Sequence, residues 1–215
     1  MNRVLVNIRG TNGAGKSTIP MSMIQNDPEM RVEALGTNKK GGPGAPYITV
    51  FPQYRWVALG SYHAKTGGLD TYKTNAMTKM ALDYAIDKYP EYDVLMEGII
   101  ASTIKSTYAI WFQEIEKEHP EIQVIVLSFV PPLEVCLARV QQRNGGKPVR
   151  EDQIASKWRA VKRNVRYFKQ CGLTSLRVNN ANCPKDKMLV NFVRLIYKNR
   201  RSTDVSKKKA SKKRN

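Results

Sequence analysis

The sequence is poor in acidic residues, in cysteine and in long apolar stretches, and each shortage narrows what the chain can be. Eighteen Asp and Glu stand against 36 Lys and Arg in 215 residues, for a net charge of +18. Three cysteines, Cys136, Cys171 and Cys183, are an odd number at no metal-like spacing and read as free thiols of a reducing cytoplasm. No apolar run reaches transmembrane length, which argues against a membrane protein. Met1-Asn2-Arg3 leads straight into the apolar run Val4–Ile8, so no signal peptide is expected. No internal repeat is visible. The length suits one α/β domain with a substantial core.

What the sequence does contain begins at Gly10. Gly10-Thr11-Asn12-Gly13-Ala14-Gly15-Lys16-Ser17-Thr18 fits G-x-x-x-x-G-K-[ST], the phosphate-binding P-loop. The context agrees: an apolar strand precedes it and a helix pattern follows, which disfavours a chance Gly-rich turn. Glycines let the backbone curl so that successive N–H groups face one anion, and the positive end of the next helix adds to them. Gly10, Asn12, Gly13, Ala14, Gly15 and Thr18 would form the cradle. Lys16 would reach the β- and γ-phosphates, and the Ser17 hydroxyl would ligate Mg²⁺. A nucleoside triphosphate, ATP, and Mg²⁺ are therefore expected.

The rest of the chain alternates strand and helix signals. Helices are predicted over 16–26, 71–88, 103–118, 132–142, 151–169 and 185–198. Strands are expected over 30–35, 94–96, 123–129 and 175–178. Tyr47–Phe51 and Arg55–Leu59 should form a hairpin, whereas Gly36–Pro46 reads as a Gly/Pro-rich loop. The predicted fold is α/β: a P-loop three-layer sandwich, a parallel sheet of about five strands between helices, with a lid and a small hairpin insertion. Residues 1–199 would be the domain, with the lid near 142–152. Residues 200–215 would be a basic, disordered tail.

Among P-loop proteins a GTPase would need Asn-Lys-x-Asp, and Asn38-Lys39 comes too early and lacks the Asp. No transporter signature is present, and the chain is short for a helicase. Further segments suit a kinase. Glu97, ending the strand Val94–Met96, can hold the water shell of Mg²⁺; alternatively it is only a carboxylate at a helix N-terminus. The Glu97-Gly98 pair resembles the strand end of uridine kinase-like enzymes, where Asp is commoner. Leu127–Arg143 resembles the strand, P-x-E-x-C-L-x-R helix and arginine-bearing lid of nucleotide kinases. That likeness offers Arg139, Arg143, Lys147 and Arg150 for phosphoryl charge, with Arg143 favoured because it precedes Gly145-Gly146. It also places an adenine-side loop at 178–181. In that superfamily an Asp before the substrate helix often meets the acceptor hydroxyl, and Asp70 stands there. Asp70 equally suits an N-cap for helix 71–88. His63 in the same loop could touch substrate or simply be exposed.

Over residues 3–198 the order of these segments resembles the nucleoside and nucleotide kinase group. The segments G-S-Y…T-G-G-L-D-T-Y and Y-D-V-L-M-E-G-I-I-A-S are similar to those of bacteriophage P-loop kinases, including the 5-hydroxymethyluracil DNA kinases. That resemblance implies a phosphotransferase working on a hydroxymethylated base in DNA, in the cytoplasm of a host cell. Charge points the same way. Eight basic residues against one acidic give the tail +7, leaving +11 on the rest, more than ATP alone calls for. Helix 151–169 carries Lys157, Arg159, Lys162, Arg163, Arg166 and Lys169 around Trp158 and Tyr167. This suits a nucleic-acid strand with a stacked base, or else a solvated basic face with Trp158 in the core. Flipping a base from duplex DNA would draw on Trp56, Tyr62 or the 36–46 loop. Two other readings remain open: a free nucleoside or nucleoside monophosphate kinase, and a nucleic-acid-binding ATPase with no acceptor hydroxyl.

Overall fold

The computed structural model describes residues 2–38, 40–62, 67–145 and 147–201. His63 and the tail from 202 to 215 lie outside the described residues. The chain runs β1 (Arg3–Arg9), α1 (Thr18–Asn26), β2 (Arg31–Thr37), β3 (Pro43–Phe51), β4 (Trp56–Leu59), a 3-10 turn (Leu69–Thr71) and α2 (Asn75–Lys88). It continues β5 (Asp93–Glu97), α3 (Ile99–Thr103), α4 (Ser106–Glu118), β6 (Ile122–Phe129), α5 (Leu133–Arg143), α6 (Glu151–Gln170), β7 (Thr174–Val178) and α7 (Lys185–Asn199).

One seven-stranded sheet has the order β2-β3-β4-β5-β1-β6-β7. The five strands from β4 to β7 are parallel, and β2–β3–β4 add an antiparallel edge. The sandwich follows from alternation along each strand. On β1, Leu5 enters one core with Val94 and Met96 of β5 and Val124 and Val126 of β6. Val4, Val6 and Ile8 enter the other with Leu95, Ile125 and Leu127. Helices α2, α3 and α4 cover the first face, and α1, α5 and α7 the second. α6 serves both, with Phe168 in the first core and Ile154 in the second. Among the described residues no helix is long and apolar enough to cross a membrane.

Four boundaries depart from the sequence reading. Gly36–Pro46 is mostly strand: Thr37 pairs with Pro43 and Gly36 with Gly44 across a hairpin closed by Asn38. Its glycines serve close approach, since a Cβ on Gly36 would stand 2.3 Å from the Ala45 carbonyl oxygen. α1 starts at Thr18, with Pro20 in its first turn where no N–H is missed. α2 starts at Asn75, because Thr74 caps it by accepting from the Met77 N–H at 3.2 Å. The predicted helix 103–118 starts later, as α4 at Ser106, and a short helix not foreseen, α3 (Ile99–Thr103), precedes it across Ile104-Lys105.

Candidate active site

The P-loop joins β1 to α1 at the carboxyl edge of the parallel strands, where open α/β sheets hold ligands. It is braced from three sides. Gly13 takes φ 75° and lies against α5 so tightly that a Cβ would fall 2.3 Å from the Cys136 carbonyl oxygen. Arg139 donates to the carbonyls of Gly13 (3.4 Å), Asn180 (3.2 Å) and Ala181 (3.1 Å), and Asn180 donates to the Ala14 carbonyl at 2.9 Å. At the loop's entrance the Gly10 N–H donates to Ser102 Oγ (3.1 Å) and Thr11 Oγ1 to the Ile154 carbonyl (3.1 Å). Drawing carbonyls outward onto side chains leaves amides for an anion. Asn12 Oδ1 is buried with no partner among the described residues.

Lys16 is 6 % exposed, and its Nζ donates to the Thr11 carbonyl at 3.2 Å. Burial pulls its pKa down, while the negative charges of Glu97 and Asp70 push it back up. Glu97 ends β5 directly beside β1, paired in register with Ile8. It is 1 % exposed and accepts from Ser17 Oγ at 3.0 Å. Burial raises its pKa to about 7 against the opposing pull of Lys16 and of the Ser17 hydrogen bond.

A buried carboxylate and a hydroxyl in contact, next to an anion cradle, are hard oxygen donors of the kind Mg²⁺ takes alongside phosphates and water. Among the described residues no group of three or more His, Cys, Asp or Glu could hold a metal by itself. The Ser17–Glu97 pair predicted from sequence is therefore assembled.

Asp70 does not cap helix 71–88. It lies in the 3-10 turn, and both its carboxylate oxygens accept from the Ile99 N–H at the start of α3, at 2.9 and 3.1 Å. This places it by the Glu97-Gly98 strand end, within electrostatic reach of Lys16 and Glu97. The turn itself rests on Gly68, at φ 62°, where a Cβ would come 2.6 Å from Glu97 Oε1.

Arg143 closes α5 on the exposed side, and its charge is felt at Lys16, helping burial to lower that pKa. Lys147 and Arg150 are exposed in the segment between α5 and α6. Arg139 braces the P-loop through backbone carbonyls, a role sequence reasoning did not foresee.

Of the aromatics offered for DNA contact, Trp56, Trp158 and Tyr167 pack on the cores. Trp56 is 6 % exposed and packs on Phe192 with ring centroids 5.6 Å apart. Trp158 donates Nε1–H to the Pro131 carbonyl at 2.8 Å and packs on the second core, and Tyr167 packs on the first. Tyr62 is 6 % exposed. Trp158 is half-buried with Lys162 Nζ 5.1 Å from its ring centroid, and α6 presents Arg159, Lys162, Arg163, Arg166 and Lys169 as an exposed cationic face.

Two functional supports left no trace in the sequence. Arg9, just before the motif, is wholly buried between Phe168 and Tyr108, 4.6 and 5.7 Å from their ring centroids. It donates to Asn7 Oδ1 (2.9 Å) and to the Ile104 carbonyl, and burial lowers its pKa to about 9. Ser102, which holds the Gly10 amide, is held in turn by Asn164 of α6, whose Nδ2 donates to the Ser102 and Thr103 carbonyls at 3.4 Å.

A family model described as "5-hmdU DNA kinase" matches residues 3–176. The 5-hmdU DNA kinase of Bacillus phage SP10 is 45 % identical over 181 residues, 83 % of this chain and 27 % of that protein. The 5-hmdU DNA kinase 1 of Salmonella phage ViI is 36 % identical over 156 residues, 72 % of this chain and 66 % of that one. The 5-hmdU DNA kinase of Pseudomonas phage M6 is 38 % identical over 164 residues, 74 % and 81 % of the two chains. The chain thus spans about a quarter of the first of these relatives and just under two thirds of the second. Among solved structures, deoxyadenosine kinase from M. mycoides with bound dATP aligns over 92 % of this chain and 100 % of that one, with 15 % identity and a TM-score of 0.38. With the family model matching from β1 into β7, the chain belongs to the 5-hmdU DNA kinase family.

Proposed function

We propose that this chain uses ATP and Mg²⁺ to phosphorylate a hydroxyl of a DNA nucleotide, the 5-hydroxymethyl group of 5-hmdU. The reading is carried by the meeting of Lys16, Ser17, Glu97 and Asp70 at the carboxyl ends of β1 and β5, in a chain of the family named for that acceptor. The P-loop amides other than those of Gly10, Ala14 and Thr18, which already donate within the protein, would hold the triphosphate, with Lys16 leaving the Thr11 carbonyl for the β- and γ-phosphates. Ser17 and Glu97 would hold Mg²⁺. That ion, when bound, neutralises charge across the β- and γ-phosphates.

Asp70 would accept the proton of the acceptor hydroxyl and orient its oxygen for in-line attack. Its anchorage on the Ile99 amide fixes it for that purpose. Arg143, with the segment 142–152 acting as a lid, would approach the transferring phosphoryl, and Arg139 would hold the nucleotide cradle in shape. The exposed cations of α6 and the basic stretch 200–215 would engage the DNA backbone. Residues 1–199 would form the kinase domain, in a host-cell cytoplasm that suits three unpaired cysteines.

The test is transfer of labelled γ-phosphate to hydroxymethylated DNA, unmodified DNA and free nucleosides offered in parallel. Label in hydroxymethylated DNA alone is the expected result. Label only in free nucleosides would make the chain a nucleoside kinase, and release of phosphate alone would make it an ATPase.

A further inference from the structure

Several side-chain atoms among the described residues are buried without a hydrogen-bond partner, and most sit in the body of the fold. The Tyr62 hydroxyl is different in place. Tyr62 follows Ser61, which bridges Gly68 across the neck of the loop. A Cβ on Gly67 would stand 2.7 Å from the Tyr62 ring, and one on Gly68 would stand 2.6 Å from Glu97 Oε1. The phenol and the Glu97 carboxylate therefore flank one Gly-Gly step, and Asp70 lies two residues further on. Tyr62 is 6 % exposed, and its oxygen has no partner among the described residues. Burial, Glu97 and Asp70 all push its pKa up, so it remains a neutral O–H donor.

An unpaired buried hydroxyl costs stability, and a phenylalanine would fill the same space without that cost. Resting on the reading of this site as an alcohol kinase, we infer that the Tyr62 hydroxyl donates a hydrogen bond to the oxygen of the acceptor alcohol and so positions it for attack. That oxygen has one proton and two lone pairs. Asp70 receives the proton and Tyr62 occupies one lone pair. The other lone pair remains to form the bond to the γ-phosphorus as the bond from that phosphorus to the β,γ-bridging oxygen breaks. Tyr62 keeps its own proton throughout.

Tyr62→Phe tests this with two readouts. Transfer to the alcohol that the wild-type enzyme phosphorylates should fall about 10- to 100-fold in kcat, the scale of a misplaced reactant. The KM for ATP should stay within about twofold, because the change lies outside the nucleotide cradle. The melting temperature should stay level or rise, because an unsatisfied group has gone.

Tyr72→Phe is the control. Its hydroxyl already donates to the Tyr47 carbonyl, so its loss should lower the melting temperature and leave kcat within about threefold. Unchanged kcat in Tyr62→Phe would overturn the inference, as would a loss of kcat matched by a loss of melting temperature. A wild-type enzyme that labels some other alcohol would contradict the 5-hmdU assignment alone, and the Tyr62→Phe comparison would then be read on that alcohol.

Discussion

The half of the site proposed for the nucleotide and the half proposed for the acceptor are built from different materials. The nucleotide half is a continuous run of backbone, residues 10–18, fixed from outside by Arg139, Asn180, Ser102 and the α5 turn against Gly13. The acceptor half is a set of side chains from separate segments: Asp70 from a 3-10 turn, Tyr62 from a loop neck and Arg143 from a helix end. Glu97 is the hinge between them, touching Ser17 on one side and crowded by Gly68 on the other. A triphosphate is the same for every enzyme of this kind and can be held by amides. An acceptor varies, and is more easily matched by side chains on loops.

The sharpest way to break the nucleotide half is Lys16→Met. Transfer should fall by about 10³-fold or more, since a fixed charge on the phosphoryl is lost. Melting should hold level, because the lysine is buried and desolvated without its ligand. Asp70→Asn attacks the acceptor half. The amide oxygen still accepts from the Ile99 N–H, so the turn persists, while transfer should fall about 10²- to 10³-fold. ATP affinity, measured by calorimetry, should be unchanged.

The hinge between the halves is sensitive to pH. The Glu97 pKa is raised from 4.5 to about 7, so without Mg²⁺ its protonated form is favoured by folding. Its contribution to stability is fully present below about 4.5 and is lost as pH rises through about 7. Melting curves recorded across that window should show the decline, and Glu97→Gln should flatten it. Mg²⁺ with nucleotide needs the ionised form, so its apparent affinity should rise over the same window.

The smallest expected effect concerns the polymer. Replacing Arg159, Arg163 and Arg166 by Gln should weaken DNA binding about 10-fold at low salt. It should also lower the slope of log affinity against log salt by about 0.9 per phosphate contact removed, read by fluorescence anisotropy. ATP turnover without DNA should not move.

The same contrast explains what could be read from the residues alone. The P-loop was legible because its function lies in consecutive backbone, and the five parallel strands because each is a short apolar run. The pairing of Glu97 with Ser17 followed from Glu97 ending a buried strand beside the P-loop, whose last turn carries Ser17 at the start of α1. What escaped depends on contacts between distant segments. Gly36 and Gly44 look like loop residues, and only the pairing of β2 with β3 shows that they allow close approach. Asp70 looks like a cap for the helix that follows it, yet its partner is Ile99, well along the chain. Tyr62 lies in a loop segment that gives no sign of its burial, whereas Trp56 opens the apolar run Trp56–Leu59 and a core place for Trp158 was one of the two readings. Arg9 reads as an ordinary cation, and only the rings of Tyr108 and Phe168 explain its place inside.

The central claim is that the acceptor half receives a base hydroxymethyl group rather than a sugar hydroxyl. Hydroxymethylated DNA labelled by the enzyme, digested by nucleases to nucleotides with phosphatase left out and fragmented in a mass spectrometer to separate base from sugar, tests it directly. The account predicts nucleotides with a second, labelled phosphate on the oxygen of the base's 5-hydroxymethyl group. Label confined to 5′ or 3′ terminal hydroxyls would contradict it.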